Sequence, residues 1–215
     1  MDALSTLGSL MGLGLVSGIR LYSTVLVVGL GMRLGLLHPP AALEHLDVLA
    51  STPVLIIAGV AYVIEFLADK IPIVDTIWDM IHTFIRPVGA AVVAATALGP
   101  VEPAVKVGAI LLAGSIALSG HSAKAGTRAV INQSPEPFTN IGASLAEDGL
   151  VAGGVWLALS HPIVALVVVL VFVGLVIWLV PKMFRMMRRQ IQRVRSFLAG
   201  EPAAPGGARA GSVGS

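Results

Sequence analysis

The chain has 215 residues, of which 56% are hydrophobic and only 12% charged, and its mean hydropathy of +0.90 excludes an ordinary water-soluble domain. With 0 cysteines there is neither a disulfide framework nor a thiolate metal site. The formal charge of +2 hides an asymmetry: without the C-terminal cluster Lys182, Arg185, Arg188, Arg189, Arg193 and Arg195, the remainder is net acidic.

Taken in chain order, apolar windows fall near residues 5–35, 53–69, 87–101, 104–120, 138–160 and 162–181. Each approaches the roughly 20 residues that cross about 30 Å of hydrocarbon. The predicted fold is therefore all-α, a polytopic transmembrane helical bundle of about six spans occupying residues 1–181. The opening stretch MDALSTLGSLMGLGLVSG carries Asp2 where a signal peptide carries Lys or Arg, so it is expected to remain as a helix. The third window is short and the fourth runs straight into polar residues, which marks both as candidates for broken or re-entrant helices. HPPAALEHLDVLASTP (His38 to Pro53) and NQSPEPFTN (Asn132 to Asn140) should be loops outside the membrane. Residues 182–200 are expected to form a basic cytoplasmic helix, with 201–215 a disordered Gly/Pro/Ala-rich tail. The positive C-terminus and an even number of spans place both termini in the cytoplasm.

GLGLVSGIRLYSTVLV from Gly12 echoes GSIALSGHSAKAGTRAV from Gly114, aligning Ser17-Gly18 with Ser119-Gly120. Each copy opens one half of the span region, 5–100 and 104–181. An odd number of spans per half would make the halves inverted repeats, with two Gly-broken helices meeting near the centre.

The charge in this apolar chain is concentrated in EFLADKIPIVDTIWDMIHTFIRP, Glu65 to Pro87. Asp75, Asp79, His82 and Arg86 recur at intervals of four, three and four, with Ile73, Ile77, Met80, Ile81 and Phe84 on the opposite side. The spacing predicts a short amphipathic helix bounded by Pro72 and Pro87. Two aspartates suit an anionic lipid surface poorly and a cationic partner well. Glu65 and Asp69 share a face at i, i+4. Glu65 is one turn deeper, where an ionised carboxylate costs about 2.5–3.5 kcal/mol unless paired, protonated or wet.

Cationic partners are available in SGHSAKAGTRAVIN, where His121, Lys124, Arg128 and Asn132 again share a helical face. Lys124 and Arg128 also fit the bland reading of charges that mark a span end. Arg20, inside the first apolar run, is a third candidate. Of the neighbours Glu147 and Asp148, Glu147 is the expected inward carboxylate because Ala143, Ser144 and Gly154 suggest a small-residue contact face. Asp75, Asp79 and His82 are weak candidates for a metal site. Glu65, Glu147, His82 and His121 could instead relay protons. No Gly-x-Ser-x-Gly elbow, His-Glu-x-x-His pair or phosphate-binding glycine loop is present, so an enzyme is the less favoured class. The cofactor is left unknown by the sequence.

SGIRLYSTVL, EFLADKIPIVDTIWDMIHTFIRPVGAA and SGHSAKAGTRAVINQSPEPFTN together resemble a group of bacterial integral membrane proteins known as domain of unknown function 4126. The resemblance runs from about Gly8 to Leu179 and implies a multi-span protein of the bacterial inner membrane, with no activity or site residues attached. The expected function is movement of a small ion or solute, with proton coupling, through Glu65, Asp69, Asp75, Asp79, His82, Arg86, His121, Lys124, Arg128, Glu147 and Arg20. The alternatives are a membrane scaffold or partner subunit, and a protein that handles lipid phosphates at Lys124 and Arg128. The expected partners are the lipid bilayer, anionic lipid at Lys182 to Arg195, and a second copy of the chain through its small-residue faces; nucleic acid is not expected.

Overall fold

The computed structural model describes residues 3–131 and 137–198. Among these the chain is all-helical: α1 (Ala3–Ile19), α2 (Leu21–Arg33), a 3-10 segment (Ala41–Ala50), α3 (Thr52–Ala68), α4 (Pro72–Ala97), α5 (Pro103–Ile131), α6 (Pro137–Ser160) and α7 (Pro162–Leu198). Asn132, most of the loop that follows it, the 201–215 tail and the side chains of Arg188, Arg189, Arg193 and Arg195 lie outside the described residues. The chain divides into two units, Met1–Val173 and Gly174–Ser215.

Where a soluble protein hides its oil, this one shows it. Ile73 and Phe84, on the apolar face of α4, are each 75% exposed, and Ile57, Val60, Leu111 and Val171 are likewise largely uncovered. Arg20, Glu65, Asp75 and Arg86 are completely buried. Charge inside and hydrocarbon outside is the distribution a bilayer demands, since lipid solvates apolar side chains and leaves polar ones to pair with each other. Three helices among the described residues are long and apolar enough to cross a membrane: Ile73–Ala97, Pro103–Arg128 and Pro162–Leu179. A fourth span results if Ala41–Ala50 and Thr52–Ala68, bent by 70°, are taken together.

The first apolar window, expected as one span, is two helices. Arg20 adopts extended backbone angles (φ −148°, ψ 98°) between α1 and α2. The chain then returns: the N-terminal residues Ala3 to Leu10 and the 3-10 residues Ala41 to His45 line one cavity at the end of the bundle remote from Arg20. The Arg20 carbonyl accepts from both the backbone N–H and the hydroxyl of Thr24, at 3.0 Å and 2.8 Å, and so opens the hydrogen-bond ladder of α2 at the break. Arg86 donates to the Gly18 carbonyl at 3.5 Å.

The segment around His38 to Pro53, read as a plain loop, contributes to the core. Leu43 and Leu46 are fully buried and Leu49 nearly so, packed with Val28 of α2, Ala97 at the end of α4 and Leu98 just after it. The every-third spacing of these leucines matches three residues per 3-10 turn. Replacing Leu46 with Ala should therefore destabilise the protein by on the order of 2 kcal/mol, a shift readable as a lower unfolding temperature in mild detergent; a solvent loop would tolerate the change.

Two further expectations are corrected. The charged stretch is not a separate helix ending at Pro87, because α4 continues through Pro87 to Ala97. Packing against neighbouring helices outweighs the one backbone hydrogen bond that proline removes. The fourth window is likewise unbroken, being the first part of the 29-residue α5. The breaks fall instead at Arg20, at Ser51 and at the turn after Asp69.

Small residues set the helix contacts. Gly14 of α1 lies against Ala113 of α5, Gly18 against the Ala117 backbone, and Gly120 against the Leu15 carbonyl. The constant offset of the first two contacts shows that α1 and α5 run parallel. Gly12 against Ala158 and Gly154 against Val16, with Ser9 donating to the Ala158 carbonyl at 2.7 Å, set α6 antiparallel to α1. In the second unit α7 continues as helix, with Ile177 and Trp178 exposed and the Lys182 ammonium 4.8 Å from the Trp178 ring centre.

Candidate functional site

The α1–α2 break, the C-terminal ends of α3 and α5, the N-terminal half of α4 and the middle of α6 converge on one buried network of ion pairs. Arg20 stands at its centre. Its guanidinium reaches Asp69 by one Nη, Glu147 by Nε at 3.0 Å and Asp148 by the other Nη at 3.2 Å. Extended backbone at Arg20 is what aims this side chain away from both flanking helices and between α3 and α6.

Arg128 makes a two-pronged bond to Glu147, at 2.8 Å and 3.1 Å, and also donates to Ser144 at 2.9 Å and to Asp69 at 3.4 Å. The Lys124 ammonium lies among three carboxylates, 3.3 Å from Glu147, 3.7 Å from Glu65 and 3.9 Å from Asp69. Its Nζ has no hydrogen bond, so it acts as a point charge shared among them. Arg86 binds Glu65 at 2.7 Å and lies 3.3 Å from Asp79.

A chain of hydrogen bonds runs from this core to α5. The Arg86 guanidinium is permanently charged, so at 2.6 Å it must donate to Nδ1 of His121. That places the His121 proton on Nε2, which faces the Thr83 hydroxyl at 3.0 Å; Thr83 in turn donates to the Asp79 carbonyl at 3.0 Å. His121 is thereby fixed as one neutral tautomer, and protonating Nδ1 would break its bond to Arg86. His82 is arranged differently. Its Nδ1 donates to the Trp78 carbonyl at 2.8 Å, leaving Nε2 to accept from Tyr22 at 3.2 Å, and its ring stacks on Trp78 with centroids 4.5 Å apart.

Every residue expected at the site is buried in the structure, Glu147 partly so, and Asp75 joins through a cavity of about 160 Å³ that Asp75, Asp79, Thr83 and Arg128 line together. His82 points toward Tyr22 and Trp78 rather than to the aspartates. Among the described residues no group of three or more His, Asp or Glu side chains is arranged to hold a metal ion. Lys70, just outside the network in the turn between α3 and α4, lies over the Phe66 ring at 3.8 Å; burial, only partly offset by Asp69, draws its ammonium below the usual lysine value.

Sequence reasoning missed Asp148, which bonds Arg20 and also accepts from Tyr62 at 2.9 Å and Ser23 at 3.3 Å. One carboxylate was expected because adjacent helical residues point about 100° apart. The fork of Arg20 is wide enough to take both. Tyr62 was legible in principle, since it shares the α3 face of Glu65 and Asp69 at intervals of three and four.

The sequence profile of the family described as a domain of unknown function, DUF4126, matches residues 7–182. The chain belongs to that family. The match ends at Lys182, so the DUF4126 region contains the entire ion-pair network and excludes most of the basic segment after it. No curated protein and no solved structure matches the chain.

Proposed function

We propose that this DUF4126 protein moves a small cation across the membrane, with proton coupling, through the buried network. One observation carries the reading: Glu65, completely buried in an apolar helix, is held by Arg86 through Oε1 while its Oε2, also buried, makes no hydrogen bond among the described residues. A purely structural ion pair gains most when every lone pair is satisfied, whereas a buried carboxylate with an open acceptor in an apolar surround is the usual machinery of proton and cation transport.

Lys124 and Arg128 are already engaged by carboxylates, which speaks against an anionic substrate or a lipid phosphate there. It also weakens their use as topology markers, because neutralised buried charges do not steer insertion. The cytoplasmic assignment of the C-terminus in a bacterial inner membrane thus rests on the basic residues from Lys182 onward. We read α1 and α2 as a re-entrant pair with Arg20 at the tip, and the two halves, if related, as parallel rather than inverted repeats, because the echoing segments α1 and α5 run the same way. This reading moves the expected re-entrant helices from the third and fourth apolar windows to the first.

The test is charge movement in proteoliposomes on a solid-supported membrane, challenged with protons, alkali cations, divalent cations and small anions. A cation-specific current lost in folded Glu65→Gln supports the proposal. If that variant only loses stability and the wild type passes no ion in any condition, including pH-dye assays of electroneutral exchange, the network is a structural brace and the protein a scaffold.

A further inference from the structure

The parallel helices α1 and α5 meet closely at Gly14 and the Ala113 backbone. Between their N-terminal turns lies a slot of about 610 Å³, at the end of the bundle remote from Arg20. Leu7 and Leu10 stand on its α1 side, and Val105, Gly108 and Leu112 on its α5 side. We propose that the slot holds one acyl chain of an amine-headed phospholipid, with the ammonium of the head at Glu44. This site is independent of ion movement through the network.

Among the described residues that line the slot, only Thr6, Glu44 and His45 carry polar side chains. So apolar a space holds water poorly, and left empty it would forfeit dispersion contacts along its lining. Its volume falls within the roughly 300–1,000 Å³ of pockets that enclose a small ligand. Val105 and Leu112 are exposed, so the slot opens onto the apolar outer surface and a hydrocarbon chain can enter from the side. The dimensions suit one leaflet: the seven residues from Val105 to Leu112 rise about 10 Å, within the roughly 15 Å that half of the hydrocarbon layer provides.

One end of the slot is polar, as an amphiphile requires. The α5 span begins at Pro103, and the turn before it builds the mouth. Gly99 has a positive φ of 56°, and the His45 ring occupies the place a β-carbon would take. Lys106 donates to the Gly99 carbonyl at 3.0 Å, which fixes a cation beside Leu98 and Pro100 of the lining. Glu44, exposed, is the acidic side chain of the slot wall. A carboxylate attracts the ammonium of an ethanolamine head, and Lys106 gives its phosphate a counter-charge. A head with a phosphate and no amine would satisfy only Lys106 and would be opposed by Glu44.

Photolabelling of the full-length protein in liposomes tests the site, using phospholipids that carry a diazirine on one acyl chain and either an ethanolamine or a glycerol head. Adducts mapped by peptide mass spectrometry should be in excess on Leu7 and Leu10 relative to Val60, which is exposed on α3, and the excess should be larger with the ethanolamine head. Leu10 is only 4% exposed, so its labelling reports a chain inside the slot and not one on the outer surface. Gly108→Leu should abolish the excess and spare the Val60 adducts. A β-carbon at Gly108 meets nothing within 4 Å and leucine is the better helix former, so this variant fills the slot without a clash at its base. Glu44→Gln should lower the preference for ethanolamine over glycerol by about fivefold. No excess at Leu7 and Leu10, or an excess that Gly108→Leu leaves intact, overturns the chain site; shielding of both leucines below Val60 would do so in favour of a second copy of the protein. An excess indifferent to the head and to Glu44→Gln overturns the amine-headed occupant.

Discussion

Replacing Arg20 with Met should destabilise the protein by about 3–5 kcal/mol or more, the range found when one partner of a buried ion pair is removed. The reason lies in what is left behind. Asp69, Glu147 and Asp148 all lose a cationic partner at once, and Asp69 is completely buried. Arg128 and Lys124 still reach Asp69 and Glu147, but among the ion pairs of the described residues Asp148 has only Arg20 and would retain just the hydroxyls of Tyr62 and Ser23. Reversible unfolding in mild detergent measures the loss. Arg33→Met is the control: Arg33 is exposed and donates to the Thr52 hydroxyl at 3.1 Å, so its loss should stay within about 0.5 kcal/mol. Adding Asp69→Leu to Arg20→Met should recover part of the deficit, because removing both charges is cheaper than stranding one. An Arg20→Met protein as stable as Arg33→Met would mean that water fills the network and screens it, and the case for a desolvated cation path would fall with it.

Much of this site could be read from the sequence because helical periodicity is local. Asp75, Asp79, His82 and Arg86 had to share a face once a helix was granted, and the charges of a membrane helix have nowhere to go but inward. The same logic supplied Lys124 and Arg128 as partners. What periodicity cannot carry is the third dimension around a break. No local signal says that Arg20 ends α1 and turns the chain back, since the residues on both sides form good apolar helix; the decision belongs to Asp69, Glu147 and Asp148, which lie 49 to 128 residues away. Pro87 misled in the opposite direction. A strong local breaker was overruled by burial of the α4 polar face against α5, where Arg86 and His121 meet. The apolar spacing of Leu43, Leu46 and Leu49 was visible, but prolines and acids around it suggested water rather than core.

The close crossing of α1 and α5 predicts the second large effect, Gly18→Ala. A β-carbon at Gly18 would collide with the carbonyl and Cα of Ala117, which are backbone atoms of a continuous helix and cannot rotate aside. Overpacking usually costs about 1–3 kcal/mol because neighbouring side chains adjust; here the helices themselves must separate, so the loss should reach or exceed the top of that range. Separation also moves the Gly18 carbonyl from Arg86 and displaces Arg20, two residues on, from its carboxylates. The contrast is Gly59→Ala in α3, where an added β-carbon meets nothing within 4 Å. There the gain in helix propensity should raise stability by about 0.5–1 kcal/mol. Opposite signs for one chemical change, read in the same unfolding assay, are expected only if α1 and α5 meet backbone to backbone at Gly18. Equal and small effects would require a looser crossing, and with it a network free to open at Arg20.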